Sequence, residues 1–415
     1  MSSAHWLRWL GACTLLIPAA RAQAEWPHWG GPDRTWRLPR AQPPIALPAE
    51  GPTIAWRTTL DDAGHGGLVA AGGRLFGLIR RNDRDVAVAW DTATGAVVWE
   101  TSLAAPSEVE LDYGDGPFAT PAIDGDRAWF VGGTGILRCH DRRSGELVWQ
   151  LDLEDRFDCP RPDRGHAASP LLVDGALILP LGARGASIVA FDAATGRVLW
   201  ARHDDDHDYG SAVAVRVDEQ LHIVCQMADR AVGVDAASGA RLWEFATDGT
   251  RTRNCMTPAD LGDGTVVVGT SKGTWRLDLR QIDGETRRPK TVWASTRIRA
   301  QVGNYLFLPQ HRVFLGPNSA HPGSRLVALD VDSGALLWRD RGIDCGFVWT
   351  MGDQLLAVAS DGELVVARAD RAGLTVESSA NLLPDNKNWS APAVAGGRLF
   401  VKGTGALLAI ELGNP

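Results

Sequence analysis

The chain has 415 residues, 22% charged and 45% hydrophobic, a globular balance that excludes a disordered polymer. Its formal net charge of -8 argues against a nucleic-acid partner for the chain as a whole. No apolar run reaches the roughly 18 residues of a spanning helix, so no transmembrane segment is expected. The odd figure is 17 Trp beside 3 Tyr and 4 Met.

The first predicted element is a leader. Arg8 precedes the apolar stretch Trp9 to Ala20, and Ala20-Arg21-Ala22 and Ala22-Gln23-Ala24 are small-residue cleavage patterns. The expectation is a signal peptide over residues 1–24 and a periplasmic or secreted mature chain. Leu10-Gly11-Ala12-Cys13 has the look of a lipobox, but the apolar run follows Cys13 instead of preceding it. Without the leader, Cys139, Cys159, Cys225, Cys255 and Cys345 remain, an odd number that does not make a disulfide scaffold. Residues 25–50 read as an N-terminal extension.

From residue 51 onward one pattern recurs: a small residue, any residue, Asp, two residues, Thr or Ser, Gly, three residues, Trp. Well-formed copies run from Ala89 to Trp99, Cys139 to Trp149, Ala190 to Trp200, Gly233 to Trp243 and Ala328 to Trp338. Degenerate copies are anchored at Asp278, whose turn is lengthened through Gly284 before Trp293, at Ala369 and at Glu411. The eight anchors recur every 39 to 52 residues, the period of propeller blades. Asp and Thr/Ser side chains bond turn backbone, Gly supplies positive φ, and the Trp that follows packs between neighbours. Upstream of each anchor, apolar runs broken by turns, such as Arg127-Ala128-Trp129-Phe130-Val131, supply two inner strands. The last copy has no room for a closing strand, and the unmatched Ile54-Ala55-Trp56-Arg57 supplies it. The expected fold is all-β: a single eight-bladed β-propeller of four-stranded blades over residues 51–415, closed by the N-terminal strand.

This pattern resembles the pyrroloquinoline-quinone-like (PQQ-like) propeller repeat, and the segment Trp26-Pro27-His28-Trp29-Gly30-Gly31-Pro32 looks like the opening of exported propellers of that family. The family includes quinoprotein alcohol dehydrogenases and the propeller lipoprotein of the outer-membrane β-barrel assembly machinery, so the resemblance implies the fold and leaves enzyme and scaffold both open. In the dehydrogenases the quinone lies on a Trp floor beneath a disulfide of adjacent cysteines, with a calcium ion on acidic and amide side chains. No two cysteines are adjacent in this chain, and it has no C-x-x-C-H haem site.

In such a ring the loops before the innermost strands meet at the axis. Aligned on the following Pro or small residue, the axial positions are His65, Phe118, His166, Tyr209, Cys255, Gln301, Cys345 and Trp389. Three readings of this ring compete: a polar channel mouth without chemistry, a pocket for a small molecule or a peptide or protein partner, and a catalytic or metal site. The catalytic candidates are His65, His166, Tyr209, Cys255 and Cys345. His65, His166, Cys255 and Cys345 are the candidate ligands, a set suited to copper or zinc. Arg164, Arg253, Arg299 and Trp389 are the candidates for holding a cofactor. PQQ, copper and calcium are the cofactors in view, none backed by a specific motif. The run His203-Asp204-Asp205-Asp206-His207-Asp208 lacks the spacing of a calcium loop and reads as a solvated acidic loop. The function expected is binding at the central funnel, with an oxidoreductase or other enzyme using the axial ring as the alternative.

Overall fold

The computed structural model describes residues 25–38, 44–60, 64–103, 116–247, 254–318, 325–343, 346–383 and 389–412. Eight four-stranded antiparallel meanders follow one another, over residues 69–103, 122–152, 171–202, 213–246, 259–295, 306–339, 347–381 and 393–411. The last is completed by Ile54–Thr59, which pairs antiparallel with Ala406–Glu411, Ile54 opposite Ile410 and Thr59 opposite Ala406. The chain is therefore an all-β, eight-bladed propeller, and the N-terminal strand closes it. The only helix among the described residues is Leu153–Phe157, between blades 2 and 3.

The recurrent motif builds both the outer hairpin of a blade and its joint to the preceding blade. In blade 1 Asp91 Oδ1 accepts from the Ala93 and Thr94 amides and the Thr94 hydroxyl, at 2.9–3.0 Å. Gly95 then turns the chain at φ 73°. The Trp of the preceding blade lies on that turn: Trp56 Nε1 donates to Thr92 O, and a Cβ on Gly95 would stand 2.6 Å from the Trp56 ring. The joint repeats as Trp99 to Arg142 O, Trp149 to Ala193 O, Trp200 to Ala236 O, Trp293 to Val331 O and Trp338 to Asp370 O. Gly is thus required twice, for its backbone angle and because an indole occupies the space of a side chain.

Two degenerate copies differ in detail from the sequence register. Asp278 does not form its turn; it binds Arg280 and Gln281. The strand Gly273–Ile282 runs on, and Asp283 accepts from the Glu285 and Thr286 amides and the Thr286 hydroxyl, with Arg287 at φ 53° in the glycine place. With the turn displaced, Trp243 has no seat on blade 5. It folds into its own blade, fully buried, against Gly233, and its Nε1 donates to His222 Nδ1 at 3.2 Å. In blade 7 the turn carboxylate is Asp370, one residue after Ala369.

Residues 25–38 precede the first blade strand of the ring. They form a hairpin inside the axial channel, at the ends of the innermost strands away from the joining loops. Trp26 exchanges backbone hydrogen bonds with Ala70 in blade 1, and Pro27 O accepts from Ile123 N in blade 2. The tip turns at Gly30 and Gly31, φ 79° and 84°, and is closed by Gly31 N to His28 O and Trp36 N to Gly30 O. The returning arm sends Arg34 Nη2 to Leu172 O in blade 3 at 2.7 Å. Arg37–Leu38 then pairs parallel with Phe347–Met351, the innermost strand of blade 7. Trp26 and Trp36 are 1% and 5% exposed and pack edge-on at 5.9 Å, while Trp36 stacks on Phe347 at 5.6 Å. Neighbouring Trp29 meets Trp36 at 5.2 Å and Phe347 at 5.5 Å, both edge-on.

The joint predicts a contrast between two turn glycines. Gly145 and Gly175 have φ 76° and 77°, but a Cβ on Gly145 would lie 2.7 Å from the Trp99 ring, whereas one on Gly175 meets nothing within 4 Å. Gly175→Ala carries backbone strain alone, about 1 kcal/mol; Gly145→Ala costs at least about 1 kcal/mol more because the indole is displaced. Denaturant midpoints of the two variants decide, and equal losses would mean that the Trp joint contributes nothing.

Candidate functional site

The loops before the innermost strands are laced to one another by backbone hydrogen bonds, and this lacing fixes the side chains they present. His65 N donates to Pro117 O, Leu68 N to Ala391 O, Tyr209 N to Asn254 O and Cys255 N to Gln301 O, at 2.9–3.1 Å. Thr120 N donates to Ser169 Oγ and Ser169 N to Ser211 Oγ. Between blades 6 and 7 Asn304 takes the Val348 amide at 2.9 Å and gives to the Val348 carbonyl at 2.7 Å. A fully buried Lys402 supports the first loop from below, with Nζ donating to Gly64 O and Leu78 O.

Within this belt lies a cavity of about 220 Å³ to which all eight blades contribute. Its walls are largely aromatic: Phe118, Phe347 and Trp389, with Trp29 of the N-terminal hairpin. His65 stands between two of these rings, 5.7 Å from Phe118 and 5.1 Å from Trp389. The polar points on the wall are His65, Arg164, Ser169, Tyr209, Ser211 and Cys255. Burial, followed by the nearby Asp208 and Asp163 carboxylates, pushes the Tyr209 phenol above its ordinary value, so it is a neutral hydroxyl at physiological pH.

Of the residues singled out from the sequence, the structure brings His65, Arg164, Tyr209, Cys255 and Trp389 together on this one wall. His166 is turned away from it. Its amide bonds Gly133 O, and its Nε2 lies 3.2 Å from Glu154 Oε1, in a cluster with Arg161. Burial opposes ionisation of Glu154, but the bonds from His166 and Arg161 outweigh it and hold its carboxyl below the ordinary value. Arg299 is exposed and off the cavity wall. Arg253 and Cys345 lie outside the described residues. Among the described residues no three His, Cys, Asp or Glu side chains gather as metal ligands.

The acidic run on blade 4 is structural where it is described. Asp205 is salt-bridged to Arg241 and bonded by Ser187, and Asp208 Oδ2 accepts from Asn254 N at 2.6 Å. These carboxylates hold loops together and do not stand free in solvent. Sequence reasoning missed Trp29, Phe347 and the Ser169–Ser211 pair as wall residues. For Trp29 there was a clue: three Trp within residues 26–36 that no blade register absorbs.

These features define an eight-bladed propeller with an axial cavity on its loop face. The chain belongs to the PQQ-like family whose model is described as outer membrane protein assembly factor BamB, matched over residues 45–150 and 108–316. It is similar to the outer membrane protein assembly factor BamB of Yersinia pestis, 22% identical over 313 residues, 68% of this chain and 70% of that protein. Among solved structures it resembles BamB from Moraxella catarrhalis, with a TM-score of 0.59 and 16% identity over 87% of this chain and 99% of that one. It also resembles the quinohemoprotein alcohol dehydrogenase of Comamonas testosteroni, with a TM-score of 0.68 and 15% identity over 94% of this chain and 81% of that one. At such identities the structural likeness shows the fold.

The described site does not fit the metal-bound quinone that the dehydrogenase resemblance implies. Its wall offers aromatic faces and a guanidinium but no carboxylate. No set of cation ligands is found among the described residues, and no adjacent cysteine pair exists to cover a quinone.

The four described cysteines differ sharply in environment. Burial pushes Cys139 and Cys225 up to about 12 and Cys159 up to about 11, whereas Cys255 is half-buried on the cavity wall. At pH 8 a thiol titrating there holds roughly one thiolate in 10³–10⁴. Brief alkylation of the native protein should therefore modify the Cys255 peptide and leave the other three intact until the protein is unfolded, as read by peptide mass spectrometry. Equal modification of Cys139, Cys159 or Cys225 would show that the blades are not closed as described.

Proposed function

We propose that this chain is an exported binding propeller, processed after residue 22 or 24, whose central cavity on the loop face receives a small molecule or a single side chain of a protein partner. The observation that carries this reading is the cavity itself: eight loops converge on one aromatic-walled space of about 220 Å³. A dry apolar cavity of about 150 Å³ takes up benzene, so this space suits one or two aromatic rings. Arg164 adds a cation for an acidic group, and the hydroxyls of Ser169, Tyr209 and Ser211 add orienting hydrogen bonds. Membership of the BamB family supports a role beside a partner protein, and an aromatic side chain offered by such a partner has the size of this cavity.

Two probes separate the sources. Naphthalene-2-carboxylate stands for a small acidic ligand and N-acetyl-tryptophanamide for a partner's side chain, each titrated by fluorescence. Trp389→Ala should weaken either probe about tenfold, the scale of losing an aromatic contact. Arg164→Ala should weaken the carboxylate alone. A control on the outer rim, Trp338→Phe, should change neither. If the bound probe is insensitive to Trp389 and Arg164, binding is not at the funnel and the reading fails.

A further inference from the structure

The N-terminal hairpin does more than fill the channel, because one of its side chains borders two separate spaces. Trp29 lines the 220 Å³ cavity on the loop face. It also lines a second, smaller space of about 30 Å³ between the hairpin and blades 4 to 6, together with Trp36, Ala212, Thr257 and Tyr305. The residues that blades 4 to 6 give to the upper space, such as Tyr209, Cys255 and Gly303, precede in the chain those they give to the lower one, Ala212, Thr257 and Tyr305. The indole is thus the partition between the two. It is held by edge-on contacts with Trp36 and Phe347, and its backbone is held by the hairpin tip, so it cannot withdraw without unseating residues 26–38. The Trp29 Nε1 is buried and has no hydrogen-bond partner among the described residues. Packing, and not a polar bond, therefore sets the position of the ring.

We infer that Trp29 is the specificity-determining residue of the funnel, fixing how deep a ligand can reach and so how many rings in a row it can bury. This rests on the binding reading above. With Trp29 in place the cavity accepts one or two rings. Removing the indole joins the two spaces and makes room for a third.

The test uses a ladder of rods with the same carboxylate head, benzoate, biphenyl-4-carboxylate and p-terphenyl-4-carboxylate, titrated against the wild-type mature chain and Trp29→Ala. In the wild type, affinity should rise from one ring to two and then level off. In Trp29→Ala the third ring should add about tenfold or more, the scale of burying one more phenyl group, while benzoate stays within about twofold. Trp29→Leu, which keeps an apolar contact to Trp36 and Phe347, should show a smaller gain in the same direction, and it decides the matter if the alanine variant does not fold. If wild type and variants share the same dependence on ring number, Trp29 does not set the depth, and the binding reading stands without it. If none of the three rods binds either protein, both this inference and the binding reading fall.

Discussion

The structure depends on filling an axial channel. Eight blades set side by side leave an opening that the short innermost strands, some only two or three residues long, do not close by themselves, and wider closed β-structures leave channels. The chain meets that constraint with its own N-terminus. Trp26, Trp29 and Trp36 enter as a hairpin, and the large area each indole buries makes a compact central plug. The plug is tied to blades 1, 2, 3 and 7 through backbone carbonyls and amides. Because it sits at one end, it turns an open channel into a space with a floor. The candidate site is a consequence of how the channel is closed, not a separate addition to the fold.

Around the axis the ring is held by repetition of one local device. Six of the eight joints set an indole on a turn of the next blade, with the indole N–H on a turn carbonyl. The ring therefore closes through Trp56 by the same chemistry that joins its interior blades, and Arg398 of blade 8 adds bonds to Thr92 O and Ala93 O on the same turn. Two joints lack the device. Blade 7 carries Glu377 in the Trp position, bonded within its own blade to Gln354 and Arg368, and the joint between blades 4 and 5 has lost its seat. There a hairpin extended past Asp278 removes the seat, and Trp243 turns inward to His222. In its place the backbone of Glu244 bonds Arg287 O from the extended hairpin, and the Arg288 guanidinium lies over the Phe245 ring at 4.8 Å. At that joint a longer turn reaches back to do the same work.

What could be read in the sequence follows from range. The Asp, Thr/Ser, Gly and Trp recur within an eleven-residue pattern, although the Trp acts on the next blade's turn, so the blades, their number and the borrowed strand were legible. The alignment on the innermost strands also carried His65, Tyr209, Cys255 and Trp389 to positions that the structure places on one wall. It failed locally at His166. There a left-handed Gly165 against Gly133 and the pull of Glu154 rotate the ring outward, and Ala167 reaches the cavity in its stead. The acidic run was legible in part: Asp204 and Asp206 are exposed as expected, while Asp205 and Asp208 are held by Arg241 and the Asn254 amide, 36 and 46 residues away. The hairpin was the least legible part. Its partners are main-chain groups spread over the whole ring, and such contacts leave no periodicity. The Trp26 to Pro32 segment and the surplus of tryptophan marked it without giving its place.

Hydrogen exchange tests the plug most directly. With the amides of Trp26, Gly31, Arg34 and Trp36 bonded inside the channel, a peptide covering residues 26–38 should exchange as slowly as the innermost strands Val69–Ala71 and Phe347–Met351. Exchange of that peptide at the rate of a solvent-exposed loop would contradict the account, because the channel would then be open at both ends and the cavity would have no floor.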